Sequence, residues 1–403
     1  MLALRLTRGA HPLVLFRRLL VAAASAGTGF LLLAVLGHAA AHPASATDAF
    51  VRLLWCAVPV AATTQLAVSA ARTDPASRPQ RGMSAAGLGP ARLTLIAATS
   101  TAVSCVLGSF LALLVFLALR GDLGGATATG SATQLLGAGH ALPPAGALLL
   151  LAVVPLTAAG ATAVVLRPRK DVRGGRRGAR AATGAGEPLT ATATDSSRSA
   201  VPAALPWGIT LTAAGLALET YVSRGSDDAG ALLPLPERLV GSPPGVLAGW
   251  ALSTLGLVLA GPGLTQLSGR LLAAGRPGAV RLLAGRVLQE ESRRVGRPLG
   301  VLCAVASGTY AAVKVYEAAP ARPLGPLTGL GAALVLACVT ASALTAALEA
   351  RWAREHTTAA LRRLGTPRSL LHRAAALRVL ALLVVLAPLT WAIAELAALP
   401  LLP

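Results

Sequence analysis

The chain has 403 residues, of which 54% are hydrophobic and only 13% are charged, and its formal net charge is +20. Several uninterrupted apolar runs reach about 20 residues, the length that an α-helix needs to cross a bilayer. This composition predicts an all-α, polytopic integral membrane protein and excludes a soluble globular chain. Nucleic acid is excluded as a partner because aromatic residues make up only 3% and the arginines lie between the apolar runs.

No catalytic or metal-binding motif is present in the sequence. A P-loop needs a lysine directly after a glycine, and neither Lys170 nor Lys314, the two lysines of the chain, follows one. His38 and His42 share one helical face, but two metal ligands without a third make a weak site. The cysteines lie inside predicted spans without a Cys-x-x-Cys spacing, at Cys56, Cys105, Cys303 and Cys338. We therefore expect no enzyme activity, no cofactor and no metal in this chain.

Hydropathy predicts about nine transmembrane helices. In chain order they cover residues 19–40, 51–70, 94–119, 144–166, 202–222, 245–268, 298–318, 326–348 and 374–396. Between the fourth and the fifth, residues 167–201 are rich in Gly, Arg, Ser and Thr and have no apolar periodicity, so we interpret them as a disordered, basic cytoplasmic linker.

Basic residues alternate from loop to loop. The segments on one side of the predicted membrane hold 30 of the 36 Lys and Arg residues, and they are 1–18, 71–93, 167–201, 269–297 and 349–378. By the positive-inside rule this side faces the cytoplasm. We therefore expect a multi-pass protein of the plasma membrane with a cytoplasmic N-terminus and an extracellular C-terminus.

Charged residues inside the predicted spans bear on the source of energy. Arg52, Glu219, Lys314, Arg378 and Glu395 all lie close to a span end, from which long side chains can reach the membrane surface. An ion-coupled transporter generally needs a buried titratable group near the middle of the bilayer. We therefore expect that any energy for transport comes from a partner protein.

The two ends of the chain share an order of elements, which indicates a duplication. Each reads basic segment, span, short outer loop, span, basic helix with a glycine, span; "AAASAGT" at 22–28 corresponds to "CAVASGT" at 303–309, and Gly87 to Gly365. We interpret this as two parallel repeats in a 4+2+3 arrangement, in which the second repeat lacks its last helix. The predicted units are 1–166, a two-helix hairpin at 202–268, and 269–403.

Two basic segments on the predicted cytoplasmic side have helical apolar spacing, and they cover residues 277–298 and 355–373. The first is typical of a helix that lies on the inner leaflet. In the second, a short helix is expected to end at Gly365, and Thr366 and Pro367 are expected to start another. This second segment is either a surface helix that touches anionic lipid or a docking element for a cytoplasmic protein.

The sequence "LRRLG" at 361–365 matches a pattern of coupling helices, and "MSAAGLG" at 83–89 matches it in its glycine and its position. In these segments and in its helix order, the chain resembles the FtsX-like (MacB-type) family of ABC transporter permeases. The resemblance implies that both segments dock a separate cytoplasmic ABC-type ATPase, whose hydrolysis drives export or extraction of a hydrophobic or amphipathic substrate. The implied docking residues are Leu361, Arg362, Arg363, Leu364, Gly365 and Arg368, together with Met83, Gly87, Gly89 and Arg92.

The chain departs from that family in two ways. No outer loop is long enough for the family's large extracellular domain, and the last helix of the second repeat is missing. These departures support an alternative, a non-transporting or degenerate membrane scaffold. The expected partners are the ATPase, membrane lipids, and either a second copy of the chain or a second permease.

The predicted topology can be tested with a reporter that is active only in the cytoplasm, fused after Pro403. Nine spans and a cytoplasmic N-terminus place this fusion outside, so we expect no reporter activity in intact cells. A fusion within the linker, after Gly184, is the positive control. Activity of the Pro403 fusion would mean that the number of spans is wrong by one.

Overall fold

The computed structural model describes residues 12–44, 46–73, 90–122, 136–137, 139–167, 204–224, 244–275, 278–318 and 325–399. Over these ranges the chain is helical and contains no strand, which confirms the all-α prediction. The eleven helices among them are α1 (Pro12–Ala41), α2 (Ala46–Trp55), α3 (Ala57–Thr73), α4 (Pro90–Arg120), α5 (Pro144–Leu166), α6 (Ala204–Arg224), α7 (Pro244–Ala273), α8 (Ala279–Ala318), α9 (Pro326–Ala353), α10 (Glu355–Arg363) and α11 (Arg368–Ala398).

Seven segments of the described chain are long and apolar enough to cross a membrane, so the membrane-embedded character is confirmed. They lie in α1, α2 with α3, α4, α5, α7, α9 and α11. Helices form at the positions of the fifth and seventh predicted spans too, but α6 and α8 are more polar than these seven. Threonines and Glu219 lower the hydropathy of α6, and a charged first half lowers that of α8. The number of nine spans therefore stays a prediction.

The second predicted span is built from two helices, α2 and α3, with a break at Cys56. Pro59 lies in the first turn of α3 and has no N–H, so it cannot bond to the carbonyl of Trp55. The chain bridges the break with hydrogen bonds from the Cys56 N–H to Arg52 and from the Val60 N–H to Cys56. A proline in a first helical turn is tolerated, which explains why the span bends rather than ends.

In the first half of the chain, α1 is the central helix and packs against α4, α5 and α3. Gly108 of α4 lies directly against the backbone of Ala22 in α1, where no side chain would fit. Further along, Leu33 and Ala34 of α1 meet Phe116 of α4 in a buried cluster. Small residues let the helix backbones approach, and this close contact stabilises helix pairs in a bilayer.

In the second half, α7 packs between α6 and α8, and α8 packs in turn against α11 and α9. The contacts of α7 are again made at glycines: Gly249 lies against Gly215 of α6, and Gly261 lies against Gly300 of α8. The two halves meet where α9 packs against α3, in a buried cluster that includes Leu66 and Val339.

Buried hydroxyl groups add polar contacts between the helices. Thr28 of α1 and Thr63 of α3 share a hydrogen bond of 2.7 Å, and the Ser25 hydroxyl donates to the carbonyl of Cys105 at 2.8 Å. Ser109 of α4 donates to the carbonyl of Leu151 at 3.2 Å. Hydrogen bonds between spans hold helices together where lipid offers no polar partner. The four cysteines are also buried between helices, and all of them are free thiols.

The charged side chains near span ends were expected to reach the membrane surface, and for Glu219 this expectation is wrong. Its side chain is fully buried between α6 and α7, and Trp250 donates a hydrogen bond from Nε1 to its carboxylate. The other carboxylate oxygen is buried without a hydrogen-bond partner. The close approach of Gly249 to α6 encloses this side chain within the helix pair, so it cannot extend outward.

Glycine contact between α6 and α7 predicts a large effect for Gly215→Ala. A Cβ atom there would lie 2.6 Å from the carbonyl oxygen of Gly249, so the helices must separate. We expect a loss of about 1 to 3 kcal/mol in the free energy of unfolding, measured in mixed detergent micelles. Gly308→Ala in α8 is the matched control, because no atom lies within 4 Å of its added methyl group. Equal stability of the two variants would contradict the packing described here.

Candidate docking site at the end of α9

A short helix, α10, separates two membrane-length helices, α9 and α11. Glu355 lies in its first turn and Arg362 and Arg363 in its last, so its charges complement the helix dipole. The helix ends at Leu364, and Gly365 follows with φ of +86°, a conformation that favours glycine. Pro367 is extended and precedes α11, which begins at Arg368. The structure therefore confirms the helix break expected at Gly365 and Pro367.

The surface of α10 is open over most of its circumference. Ala359, Ala360, Arg362 and Arg363 are exposed, and Leu364 is 83% exposed. The side chain of Leu361 lies outside the described residues, and Arg368 is exposed at the start of α11. Helix α10 contacts α9, from which it directly continues, and makes no other substantial helix contact within the described chain. A basic helix with an exposed leucine is thus presented at this end of the bundle.

An ion pair fixes the point where α9 turns into α10. Arg354 caps α9, and its Nε lies 2.8 Å from a carboxylate oxygen of Glu291 in α8. The same nitrogen donates to the carbonyl of Ala350 at 2.9 Å. Both side chains of the pair are mostly buried, at 21% and 14% exposure. The pair therefore joins the residue between α9 and α10 directly to α8.

Burial has the largest effect on the pKa of Glu291 in this ion pair. Loss of water raises the pKa of Glu291 above its ordinary value, while the positive charges of Arg354 and Arg294 oppose the rise and the nearby Glu290 adds to it. The combined effect of these groups is a raised pKa for Glu291. Arg354, whose Nε lies 2.8 Å from the carboxylate, is the first of the groups that oppose this rise.

A second contact ties the end of α9 to α1. The guanidinium of Arg17 lies 4.9 Å from the ring centre of Trp352, a cation–π geometry, and Arg17 is only 6% exposed. Since Trp352 is two residues before Arg354, a helix from each half of the bundle contacts the end of α9, next to α10. The structure therefore brings the basic starts of α1 and α8 to the same end as α10.

The segment 277–298 forms no separate surface helix. It is the first half of α8, which passes through Pro298 without ending, and it packs against α7. Ala284 and Leu288 are buried there, and Gly285 lies against the carbonyl of Gly269. The expectation of a helix lying on the inner leaflet is thus replaced by a helix packed on protein, because glycine contacts hold it against α7.

The structure does not test the first coupling segment. Met83, Gly87 and Gly89 lie outside the described residues, and so does the side chain of Arg92, whose backbone belongs to the first turn of α4. Only the second segment can therefore be assessed as a docking surface.

Sequence reasoning missed the contacts that hold α10. Glu291 lies seven residues after Ala284 and three after Leu288, so it is on the buried face of α8, and this periodicity could have indicated it. The contact of Arg17 with Trp352 joins residues more than 300 positions apart and carries no sequence signal. Lys314 and Glu395, each placed near a span end by the sequence, also lie close together: the Nζ of Lys314 is 3.6 Å from a carboxylate oxygen of Glu395 in α11.

A double-mutant cycle of Glu291→Ala and Arg354→Ala tests the ion pair. We expect a coupling energy of about 1 kcal/mol in the free energy of unfolding in mixed micelles, since the pair is mostly but not fully buried. Additive effects of the two substitutions would contradict a direct interaction.

The same variants give a readout in pH. Folding raises the pKa of Glu291 above its ordinary value of 4.5, so the folded chain binds the carboxyl proton of Glu291 more tightly than the unfolded chain does. The stability that this proton contributes is present below pH 4.5 and is lost as the pH rises from 4.5 through the higher pKa of the folded state. In Arg354→Ala the opposing cation is gone, and the loss should extend to higher pH. Glu291→Ala should lack this contribution in both backgrounds.

Among the described residues, no group of three or more His, Cys, Asp or Glu side chains is placed to hold a metal ion. His38 and His42 stack on each other with ring centres 4.5 Å apart. Comparison of the chain with protein-family models, with curated proteins and with solved structures gave no match.

Proposed function

We propose that this protein is the permease subunit of an ABC transporter, and that a separate cytoplasmic ATPase docks on α10. The observation that carries the proposal is the 83% exposure of Leu364 on a short basic helix between two membrane-length helices. An apolar side chain so exposed, with Arg362 and Arg363 beside it, suits a shallow apolar pocket with an acidic rim on a partner. The FtsX-like resemblance of "LRRLG" supports the same partner.

A docking helix must pass force to the membrane helices, and the contacts around α10 support this role. Through Arg354 the segment holds α8, and through Trp352 it lies beside Arg17 of α1. Since α1 is the central helix of the first half and α8 packs against α7, α9 and α11 in the second, a shift of α10 would act on both halves. The chain has no P-loop of its own, so hydrolysis belongs to the partner.

The helix packing is compatible with the duplicated layout. In the first half α1 packs most extensively on α4, and in the second half α8 packs extensively on α11, the helix at the corresponding place. We propose the plasma membrane as the location, with α10 on the cytoplasmic side, and a hydrophobic or amphipathic substrate that is exported or extracted. The alternative is a non-transporting scaffold, favoured by outer loops that are too short for the family's large extracellular domain; a scaffold requires no ATPase.

The proposal is tested by affinity capture from cells that express the tagged full chain. We expect a P-loop ATPase among the captured proteins, and we expect Leu364→Asp to abolish its capture, because a charge replaces the exposed apolar contact. Leu282→Asp is the matched control, since Leu282 is an exposed leucine on the first half of α8 at 46% exposure.

Gly365→Asp should also abolish capture, because it strains the turn that positions α10. Gly275→Asp controls for this strain, since Gly275 has φ of +78° and no atom within 4 Å of an added Cβ. Capture of no ATPase by folded wild-type protein, or equal capture by Leu364→Asp and Leu282→Asp, would rule out docking on α10 and favour the scaffold.

A further inference from the structure

A groove runs along the side of the bundle between α3 and α5, with a volume of about 590 Å³. Its walls are mostly apolar and include Val60 and Val68 of α3 and Leu150 and Val153 of α5. This volume lies within the range of pockets that hold small ligands. The groove lies on the outside of the bundle, so a ligand can enter it sideways from the bilayer.

The sequence explains why these two helices leave a groove. Ala57 and Ala61 of α3 and Ala161 of α5 line it, and their small side chains do not fill the space between the backbones. At mid-depth, Thr64 donates a hydrogen bond to Thr157 at 3.3 Å and so bridges the two helices. The lining residues extend along both walls, from Leu53 to Arg72 on one side and from Leu150 to Val165 on the other, so the groove offers contacts along the length of an acyl chain.

The charge of the groove is confined to one end. Arg72, in the last turn of α3, lines it there, and Arg167 caps α5 two residues after Val165, which also lines it. Both arginines are exposed residues. Two arginines at the mouth of an apolar groove match an anionic group attached to a hydrocarbon chain, and arginine pairs well with phosphate.

We propose that the groove between α3 and α5 binds one anionic phospholipid, with an acyl chain along the groove and its phosphate between Arg72 and Arg167. From Val60 to Arg72 the helix rises about 18 Å, close to the depth of one leaflet. The lipid thus belongs to the leaflet on the side of α10. Binding does not depend on the proposed ATPase, since the groove contains no residue of α10.

A second copy of the chain fits this face less well than a lipid. Copies in one membrane have the same orientation, so a symmetric contact here would place Arg72 and Arg167 of both chains at the same depth. Like charges brought together disfavour such an interface. Lipid phosphate, in contrast, neutralises both guanidinium groups.

The test is native mass spectrometry of the purified full chain after incubation with equal amounts of phosphatidylglycerol and phosphatidylcholine. We expect one phosphatidylglycerol retained in preference to phosphatidylcholine. Arg72→Gln should lower its retention about five-fold, the effect of one basic residue on an anionic lipid. Arg52→Gln, in α2 before the opposite end of α3 and not part of the groove lining, should leave retention unchanged.

A second pair of variants tests the chain-binding part. Ala61→Phe fills the groove and should remove the retained lipid, whereas Ala333→Phe, at an exposed alanine of α9, should not. Equal retention of the two lipids by the wild type, or equal loss in Arg72→Gln and Arg52→Gln, would overturn the proposal. A lipid-free dimer that Ala61→Phe dissociates would overturn it too, because the groove would then be an interface between copies.

Discussion

Close contact between helix backbones at small residues is the constraint on which this structure depends. Inside a bilayer the lipid is as apolar as leucine, so helices gain little by hiding apolar side chains from it. The chain instead brings backbones together at Gly108 against α1, at Gly215 and Gly249 between α6 and α7, and at Gly261 against α8. Buried hydroxyl groups such as Thr28 and Thr63 supply the polar contacts between these surfaces. Many large apolar side chains, among them Leu111, Leu149 and Leu383, lie instead on the outer surface of the bundle.

Against this tightly packed bundle, α10 is conspicuous because it is scarcely packed at all. Its position is determined by its ends: Arg354 and Trp352 before it, and the turn at Gly365 and Pro367 after it. A helix held only at its ends keeps its surface free while its movement reaches the helices to which the ends are attached. This combination is compatible with the docking role proposed for α10.

Much of the fold could be predicted, because a membrane-spanning helix can be recognised from a local run of apolar residues. Long apolar runs gave the spanning helices, and the sequence of Gly365 and Pro367 gave the break between α10 and α11, since turn chemistry is local. Burial of Glu219 could not be predicted, because it depends on how closely Gly249 of another helix approaches. The buried position of Glu291 could have been predicted from its helical spacing, but its pairing with Arg354 could not. The groove between α3 and α5 depends on the distance between two helices, which no single segment specifies.

The burial of all four thiols makes the native chain unreactive towards reagents that modify cysteine. Reagents that alkylate cysteine need an accessible thiolate in water, and Cys56, Cys105, Cys303 and Cys338 are each at most 8% exposed. A single cysteine introduced on the open surface of α10 would therefore be labelled almost alone, without first removing the native ones. The packing that leaves α10 exposed also buries the native cysteines. A fluorescent or spin probe attached to α10 would therefore give a signal without background from labelled native cysteines.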